Sequence, residues 1–157
     1  MRRVLLAAAL ALSWACCTLP ASAGDGEIIA ACVQAELDAS RPPLNCVGRV
    51  SDPCLELPEG QSTVGMVECI GKETKVWDDM LNAEYGRLLE VLSSKAADAV
   101  RSAQRNWITL RDSDCKIPYE IFEGGTMAQP IAADCVRSHT ADRALQVRAW
   151  REMARPE

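Results

Sequence analysis

The sequence lacks the short motifs on which catalytic and metal centres commonly depend. It has a single histidine, His139, and no C-x-x-C or H-E-x-x-H pattern. Zinc ribbons, thioredoxin-type redox pairs and metalloprotease helices therefore have no support. Gly124-Gly125 follows no predicted strand and precedes no lysine, so it is not a phosphate loop, and no nucleophile elbow occurs. We predict no catalytic residues, no metal, no cofactor and no enzymatic activity.

Clustered positive charge is also missing. The chain has 17 Lys and Arg against 22 Asp and Glu, a net charge of −5. Arg2 and Arg3 are the only charged residues among the first 23, so removing that stretch takes the net charge from −5 to −7. Binding to nucleic acid needs a basic footprint, so we expect no nucleic-acid partner. The acidic balance favours basic partners, although solvation alone would also account for it.

The first 23 residues have the three parts of a secretory signal. Arg2 and Arg3 precede an apolar run over residues 4–15, and Ala21-Ser22-Ala23 forms a small-x-small cleavage site. The run is too short to span a bilayer. We predict cleavage after Ala23, a single domain over residues 24–157, a periplasmic or secreted location, and no stable membrane insertion.

A lipid anchor is the less favoured alternative. Cys16 and Cys17 lie inside the signal, where a lipoprotein would carry a leucine three residues before its modified cysteine. Ser13 occupies that position before Cys16. A lipid anchor is therefore not expected.

An even number of cysteines remains after the predicted cleavage, which in an exported protein indicates three disulfides. Six cysteines allow about 15 pairings. The sequential pairing closes the shortest loops, each worth about 3 kcal/mol in the chain-entropy model. It joins Cys32 to Cys46, Cys54 to Cys69 and Cys115 to Cys135.

Apolar residues recur at helical spacing and never alternate as in a strand, which predicts an all-α, disulfide-stabilised bundle of about four helices. Thr63 is the expected N-cap of the long helix, and the short break at Ser93-Ser94 predicts that the helices on either side are antiparallel neighbours. The predicted helices cover residues 26–39, a short stretch near 44–57 that Pro53 disturbs, 63–92, 95–114, and Pro130 to about Met153, with one long loop over 116–130.

Several polar residues fall on or beside the apolar stripes of these helices. Burying charge is costly unless it is paired, so we predict an internal network in which Arg111 or Arg143 pairs with Asp78. Paired carboxylates can also perform glycosidase chemistry, but nothing separates an acid from a nucleophile here. The tryptophans Trp77, Trp107 and Trp150 are expected core anchors. The polar set is Asp78, Asn82, Arg111, Asp112, Thr140 and Arg143, with Asp79 a further carboxylate.

The loop between Cys115 and Cys135 is the candidate binding element. It holds Tyr119, Glu120, Phe122 and Glu123, and a disulfide across its base would lower the entropy cost of binding. Aromatic rings beside carboxylates suit the cleft of a basic, carbohydrate-binding enzyme. The alternative is a connecting loop that packs both rings against the bundle.

These motifs, over roughly residues 63–150, resemble the lysozyme inhibitor LprI-like domain family of bacterial envelope proteins. The resemblance implies a small exported helical domain with disulfides and inhibition of lysozyme, without assigning inhibitory residues. It rests on Asp78-x-x-Leu81-Asn82-x-x-Tyr85, Gln104-x-x-Trp107-x-x-x-Arg111-Asp112-x-x-Cys115 and Cys135-x4-Thr140-x-x-Arg143.

Three functions follow from these patterns. The first is an exported binding protein that inhibits lysozyme or another basic muramidase. The second is an envelope structural or interaction module without inhibitory activity. The third is a hydrolase, which a pocket flanked by two unpaired carboxylates would support.

Overall fold

The computed structural model describes residues 24–155, which contain six α-helices and no strand. The predicted all-α class is confirmed, and the four long helices α1, α3, α4 and α6 correspond to the predicted ones. Within the described range no helix is long and apolar enough to cross a membrane. The predicted signal, residues 1–23, lies outside the described residues. The helices are α1 (Asp25–Asp38), α2 (Ser51–Leu55), α3 (Thr63–Val91), α4 (Ser94–Asp114), α5 (Ile117–Ile121) and α6 (Ala128–Ala154).

The core lies where α3 and α6 pack along each other, with α1 against one side. Large side chains of α3, led by the fully buried Trp77, meet small buried residues of α6 such as Ala141 and Ala144. Small residues on α6 let the two helix backbones approach closely. Most of the side-chain volume at this contact therefore comes from α3. The other buried members of this cluster are Ile29, Val33, Cys46, Leu81, Leu88 and Val147.

The six cysteines of the described chain are paired sequentially. Cys32 joins Cys46, Cys54 joins Cys69, and Cys115 joins Cys135. The first two disulfides tie the irregular segment between α1 and α3 to those helices. The third links the end of α4 to the start of α6. Each closes a short loop, which raises the free energy of unfolding chiefly by restricting the unfolded chain.

The predicted pairing of α4 with α3 is wrong. After the turn at Ser93, whose side chain caps α4 through the backbone N–H of Ala96, α4 makes its main contacts with α6. Leu110, expected on the buried stripe, is 55 % exposed, and Ala97 is the only buried residue of the helix. The tie from Cys115 to α6 and the packing of Trp107 hold α4 there.

The segment predicted as one short helix over 44–57 is divided. A 3-10 turn covers Pro43–Cys46, and α2 begins at Ser51. Pro53 is not the cause, because it lies in the first turn of α2, where proline is tolerated. The break is at Gly48, whose φ of +96° favours glycine and whose missing side chain leaves room for the Asp52 carboxylate.

Two other boundaries differ from the predictions. Ser62, not Thr63, is the N-cap of α3, because the Ser62 hydroxyl accepts a hydrogen bond of 3.0 Å from the Gly65 N–H. The predicted loop over 116–130 contains α5, and α6 begins at Ala128, before Pro130. Pro130 therefore lies in the first turn of α6 and costs no helical hydrogen bond.

The end of α1 carries a carboxylate that should make folding stability depend on acid. Glu36 is buried and accepts bonds from Arg41 Nε at 2.8 Å, Arg41 Nη2 at 2.9 Å and Asn45 Nδ2 at 3.0 Å. The hydrogen bonds from Arg41, then from Asn45, lower the pKa of Glu36 from 4.5 to about 2.

A carboxylate with a lowered folded pKa stabilises the protein above its unfolded pKa, and this stability is lost as the pH falls through the folded pKa. The contribution of Glu36 should therefore be complete above pH 4.5 and disappear towards pH 2. In urea titrations across that window, Glu36→Gln should show a shallower acid loss than wild type. The exposed Glu59→Gln serves as control, and parallel curves for Glu36→Gln and wild type would contradict this assignment.

Candidate functional site

The segment between α4 and α6, residues 116–127, is a compact connection packed against α6, which we call the tip. It consists of α5 and a turn at Glu123 and Gly124, whose φ angles are +47° and +76°. The Gly124 N–H donates to the Tyr119 carbonyl at 3.2 Å, and the Gly125 N–H donates to the Phe122 carbonyl at 2.7 Å. The tip is therefore held by its own backbone hydrogen bonds as well as by the disulfide below it.

The tip presents apolar side chains to solvent. Tyr119 is 44 % exposed and Phe122 is 42 % exposed, so neither ring is packed away in the bundle. Glu120 and Glu123 are exposed beside them. A cluster of exposed apolar groups on a rigid element is typical of a protein-binding surface. The other exposed apolar residues of the tip are Ile117, Ile121 and Met127.

A shallow groove continues from the tip between α3 and α6. Its first part, about 350 Å³, runs beside Tyr119, and its second part is about 520 Å³. Val67, Ala133 and Val136 line both parts, which makes the groove continuous. Thr140 lies at its far end, where its hydroxyl donates to the Val136 carbonyl at 2.7 Å. The tip and this mostly apolar groove form one surface.

Arg143 is buried between two aromatic rings where α6 contacts α4. Its guanidinium carbon lies 5.7 Å from the centre of Trp107 and 4.8 Å from that of Trp150, and Arg111 stacks on Trp107 at 4.9 Å. Burial lowers the pKa of Arg143, and Tyr85 opposes that shift. Trp107 and Trp150 are half-buried, and both pack against the core cluster as well as stacking on arginine.

The predicted pairing of Arg111 or Arg143 with Asp78 is wrong. Arg143 Nε donates to Gln104 at 2.8 Å, and its Nη1 donates to Gln146. Arg111 pairs with its neighbour Asp112 at 2.8 Å. Arginine stacked on indole rings is stabilised without a carboxylate, so the motif residues do not require the ion pair that the spacing suggested.

The carboxylates considered for hydrolysis each have a partner in their own helix. Asp78 accepts a bond of 2.9 Å from Asn82, and Asp79 pairs with Lys75 at 2.8 Å. With Asp112 bonded to Arg111, these three do not form a pocket flanked by unpaired carboxylates. Of the motif residues, Leu81, Thr140 and Arg143 are buried, Asp78, Tyr85, Gln104, Trp107 and Arg111 are half-buried, and Asn82 and Asp112 are exposed.

His139 lies beside the third disulfide, with its Nε2 3.7 Å from Asp114. Ligand atoms of Cys115, Cys135 and His139 all lie within 4.8 Å of one another. Metal ions bind the thiolate form of cysteine, and both sulfurs are bonded to each other here. This cluster therefore acts as a covalent tie between α4 and α6.

Sequence reasoning missed the buried carboxylates of α3. Glu73 is 0 % exposed and Glu84 is 5 % exposed. Both lie on the same helical stripe as Trp77 and Leu81, at spacings of three and four. That position, a charge within an otherwise apolar stripe, was the signal that could have identified them.

A family model described as Lysozyme inhibitor LprI matches residues 54–147. The match includes the tip, the groove and every motif residue from Asp78 to Arg143, and it overlaps the range 63–150 that the motifs predicted. No curated protein and no solved structure matches the chain significantly. The match includes the second and third disulfides and leaves the first, Cys32–Cys46, outside.

Proposed function

Because the chain belongs to the lysozyme inhibitor LprI family, we propose that it binds a lysozyme-type muramidase and inhibits it by occlusion. The observation that carries the proposal is the tip, where exposed aromatic rings stand beside Glu120 and Glu123 on a disulfide-anchored element. Muramidases cleave a glycosidic bond with two carboxylic residues in a cleft. If the tip enters this cleft, it would exclude the saccharide chain without any chemistry of its own.

The charges favour this partner. Residues 24–157 have a net charge of −7 once Arg2 and Arg3 are excluded from the −5 of the whole chain. Opposite net charges speed the encounter of two proteins, and a few residues that become buried at the centre of an interface, often aromatic, carry most of its binding energy. We infer that the acidic residues attract a basic muramidase and that Tyr119 and Phe122 hold it.

We also infer that the protein is exported before it acts. The predicted signal over residues 1–23 would deliver residues 24–157 to the periplasm or the medium, where three disulfides form and persist. Muramidases act on the cell wall in the same compartment. Mass spectrometry of the exported protein should find Gly24 as its first residue.

The direct test is the rate of cell-wall hydrolysis in the presence of excess oxidised protein, residues 24–157. One series uses a c-type lysozyme and another uses a muramidase of the producing cell. We expect saturable inhibition in at least one series, with a one-to-one complex by analytical ultracentrifugation. Unchanged hydrolysis and the absence of a complex in both series would reject the proposal.

Removing the tip disulfide should weaken inhibition more than removing another disulfide does, although both changes should lower the unfolding free energy equally. In the Cys115→Ala/Cys135→Ala variant the tip loses its covalent anchor and must be ordered on binding, which we expect to weaken inhibition about tenfold or more. The matched control, Cys32→Ala/Cys46→Ala, removes a disulfide remote in sequence from the tip. Each variant should lose about 3 kcal/mol of unfolding free energy. Equal inhibition by the two variants would contradict a role for the anchored tip.

A further inference from the structure

The disulfide at the base of the tip has a neighbour that the other two disulfides lack. The sulfur atoms of Cys115 and Cys135 and a ring nitrogen of His139 all lie within 4.8 Å of one another. Among residues 24–155 this is the only group of three or more potential metal-binding side chains whose ligand atoms lie so close together. The proposed inhibition uses the disulfide as an anchor and gives His139 no role.

The positions of these residues in α4 and α6 bring the three side chains together. Cys135 and His139 are four residues apart on α6, so both project from the same face of that helix. Cys115 is the C-cap of α4, at the helix end where the partial negative charge of the backbone favours a cation. Two ligands a few residues apart in one element, completed from a second element, are usual in zinc sites.

A carboxylate lies beside the histidine. Asp114 Oδ2 is 3.7 Å from His139 Nε2. Zinc-binding histidines usually have such a neighbour, which fixes the orientation of the ring and makes it a stronger ligand. Cys115 is 5 % exposed, whereas Cys135 and His139 are partly exposed. The cluster can therefore be reached from solvent on the α6 side.

We propose that these three residues bind Zn²⁺ when the Cys115–Cys135 disulfide is reduced by a protein dithiol. One thiolate of the dithiol attacks the partly exposed Cys135 sulfur, and Cys115 leaves as a thiolate. The second thiolate of the dithiol then displaces Cys135, so the dithiol leaves as a disulfide and its two protons pass to solvent. Zn²⁺ binds the two cysteine thiolates and the neutral imidazole of His139, with water as the fourth ligand.

The exchange of a disulfide for zinc needs no movement of the helices. With Zn–S bonds of about 2.3 Å and tetrahedral angles, the two sulfurs lie about 3.8 Å apart. The Cα atoms of Cys115 and Cys135 are 5.4 Å apart, and the Cβ atoms of bonded cysteines are about 3.8 Å apart, so rotation of the two side chains suffices. Zinc would therefore preserve the tie between α4 and α6 in the reduced protein. Thiolate ligands select against Mg²⁺ and Ca²⁺.

Zinc should make this one disulfide easier to reduce. Oxidised protein, residues 24–157, is equilibrated in glutathione buffers that contain either free Zn²⁺ or a chelator, and its thiols are alkylated and mapped by mass spectrometry. With free Zn²⁺ at about 100 times its Kd, the ratio [GSH]²/[GSSG] that reduces half of the Cys115–Cys135 pairs should fall about 100-fold. The other two disulfides are controls within the same molecule. An unchanged midpoint for Cys115–Cys135, or one shift common to all three disulfides, would overturn the proposal.

Two substitutions test the roles of the neighbouring side chains. His139→Asn removes a ligand and should reduce the zinc-dependent shift about tenfold or more, whereas Asp114→Asn keeps all three ligands and should reduce it less. Asp98→Asn on α4 is the control and should leave the shift unchanged. The side chains of His139 and Asp114 are 31 % and 41 % exposed, so both oxidised variants should keep the wild-type fold. A full zinc-dependent shift in His139→Asn would refute the site, whatever the outcome of the muramidase assay.

Discussion

Glu73→Gln is expected to lower the free energy of unfolding by about 3–5 kcal/mol, because it disrupts a fully buried charge with several partners. Glu73 Oε1 accepts bonds from the Gly48 N–H at 2.7 Å and from the Trp77 indole at 3.1 Å. Oε2 accepts from the N–H groups of Val50 at 3.0 Å and Ser51 at 2.8 Å. One side chain of α3 thus fixes the segment between the first two disulfides.

Glutamine has the same shape but replaces one acceptor oxygen with an NH₂ donor. Each carboxylate oxygen of Glu73 accepts two hydrogen bonds. Whichever oxygen the amide NH₂ replaces, two N–H donors of the protein then point at another donor, and no water can reach the site. Arg137 Nη1, 3.9 Å from Glu73 Oε2, also loses the nearest buried negative charge. Burial by itself would raise the pKa of Glu73, but the four hydrogen bonds together lower it, so the charged form is the stable one.

Urea and thermal unfolding of the oxidised protein, followed by circular dichroism, measure this effect. The melting temperature of Glu73→Gln should fall by roughly 10–20 °C. Glu68→Gln, an exposed position on the same helix, should stay within about 0.5 kcal/mol of wild type. A Glu73→Gln variant as stable as Glu68→Gln would mean that the carboxylate does not hold this segment.

Tyr119→Ala combined with Phe122→Ala is expected to weaken muramidase inhibition by about 100-fold or more. Truncating an aromatic residue at the centre of an interface costs about 2–4 kcal/mol, and each 1.4 kcal/mol is a factor of ten. Both rings are more than 40 % exposed in the free protein, so their removal should barely change folding stability. The effect should appear mainly as faster dissociation.

The control for this variant is Val91→Ala, an apolar residue that is 46 % exposed at the opposite end of α3 from Val67 and the tip. Inhibition constants and unfolding free energies of both variants against wild type complete the comparison. Full inhibition by the double variant, with wild-type stability, would place the inhibitory surface away from the tip.

Some of the structure could be predicted because its causes are local. The stripe of Trp77, Leu81 and Leu88 predicts a helix that faces a core, and Ser93 before Ala96 marks a helix start. Neighbouring cysteines such as Cys32 and Cys46 are close in the chain, so the loop that joins them costs little entropy. The exposed aromatic residues of the tip also lie within one short, disulfide-closed segment.

Other features could not be predicted because they depend on side chains far apart in sequence. Arg143 has the spacing of an ion-pair partner, but the rings of Trp107 and Trp150 occupy its faces. Leu110 has the spacing of a core residue, but α4 lies against α6 with another face. Spacing identifies which residues share a helix face, and it does not identify what that face meets.

The amino-acid sequence by itself determined the helical class, the positions of the long helices and an acidic, cysteine-paired domain with an aromatic tip. These properties arise from interactions within a few turns or a short loop. Only the tertiary structure decided that the Glu73 carboxylate accepts hydrogen bonds from the backbone of residues 48–51, that α4 packs on α6, and that Arg143 stacks between Trp107 and Trp150. The Glu73 carboxylate stays charged in the core because donors far away in sequence bond to it, and those contacts exist only in the folded chain.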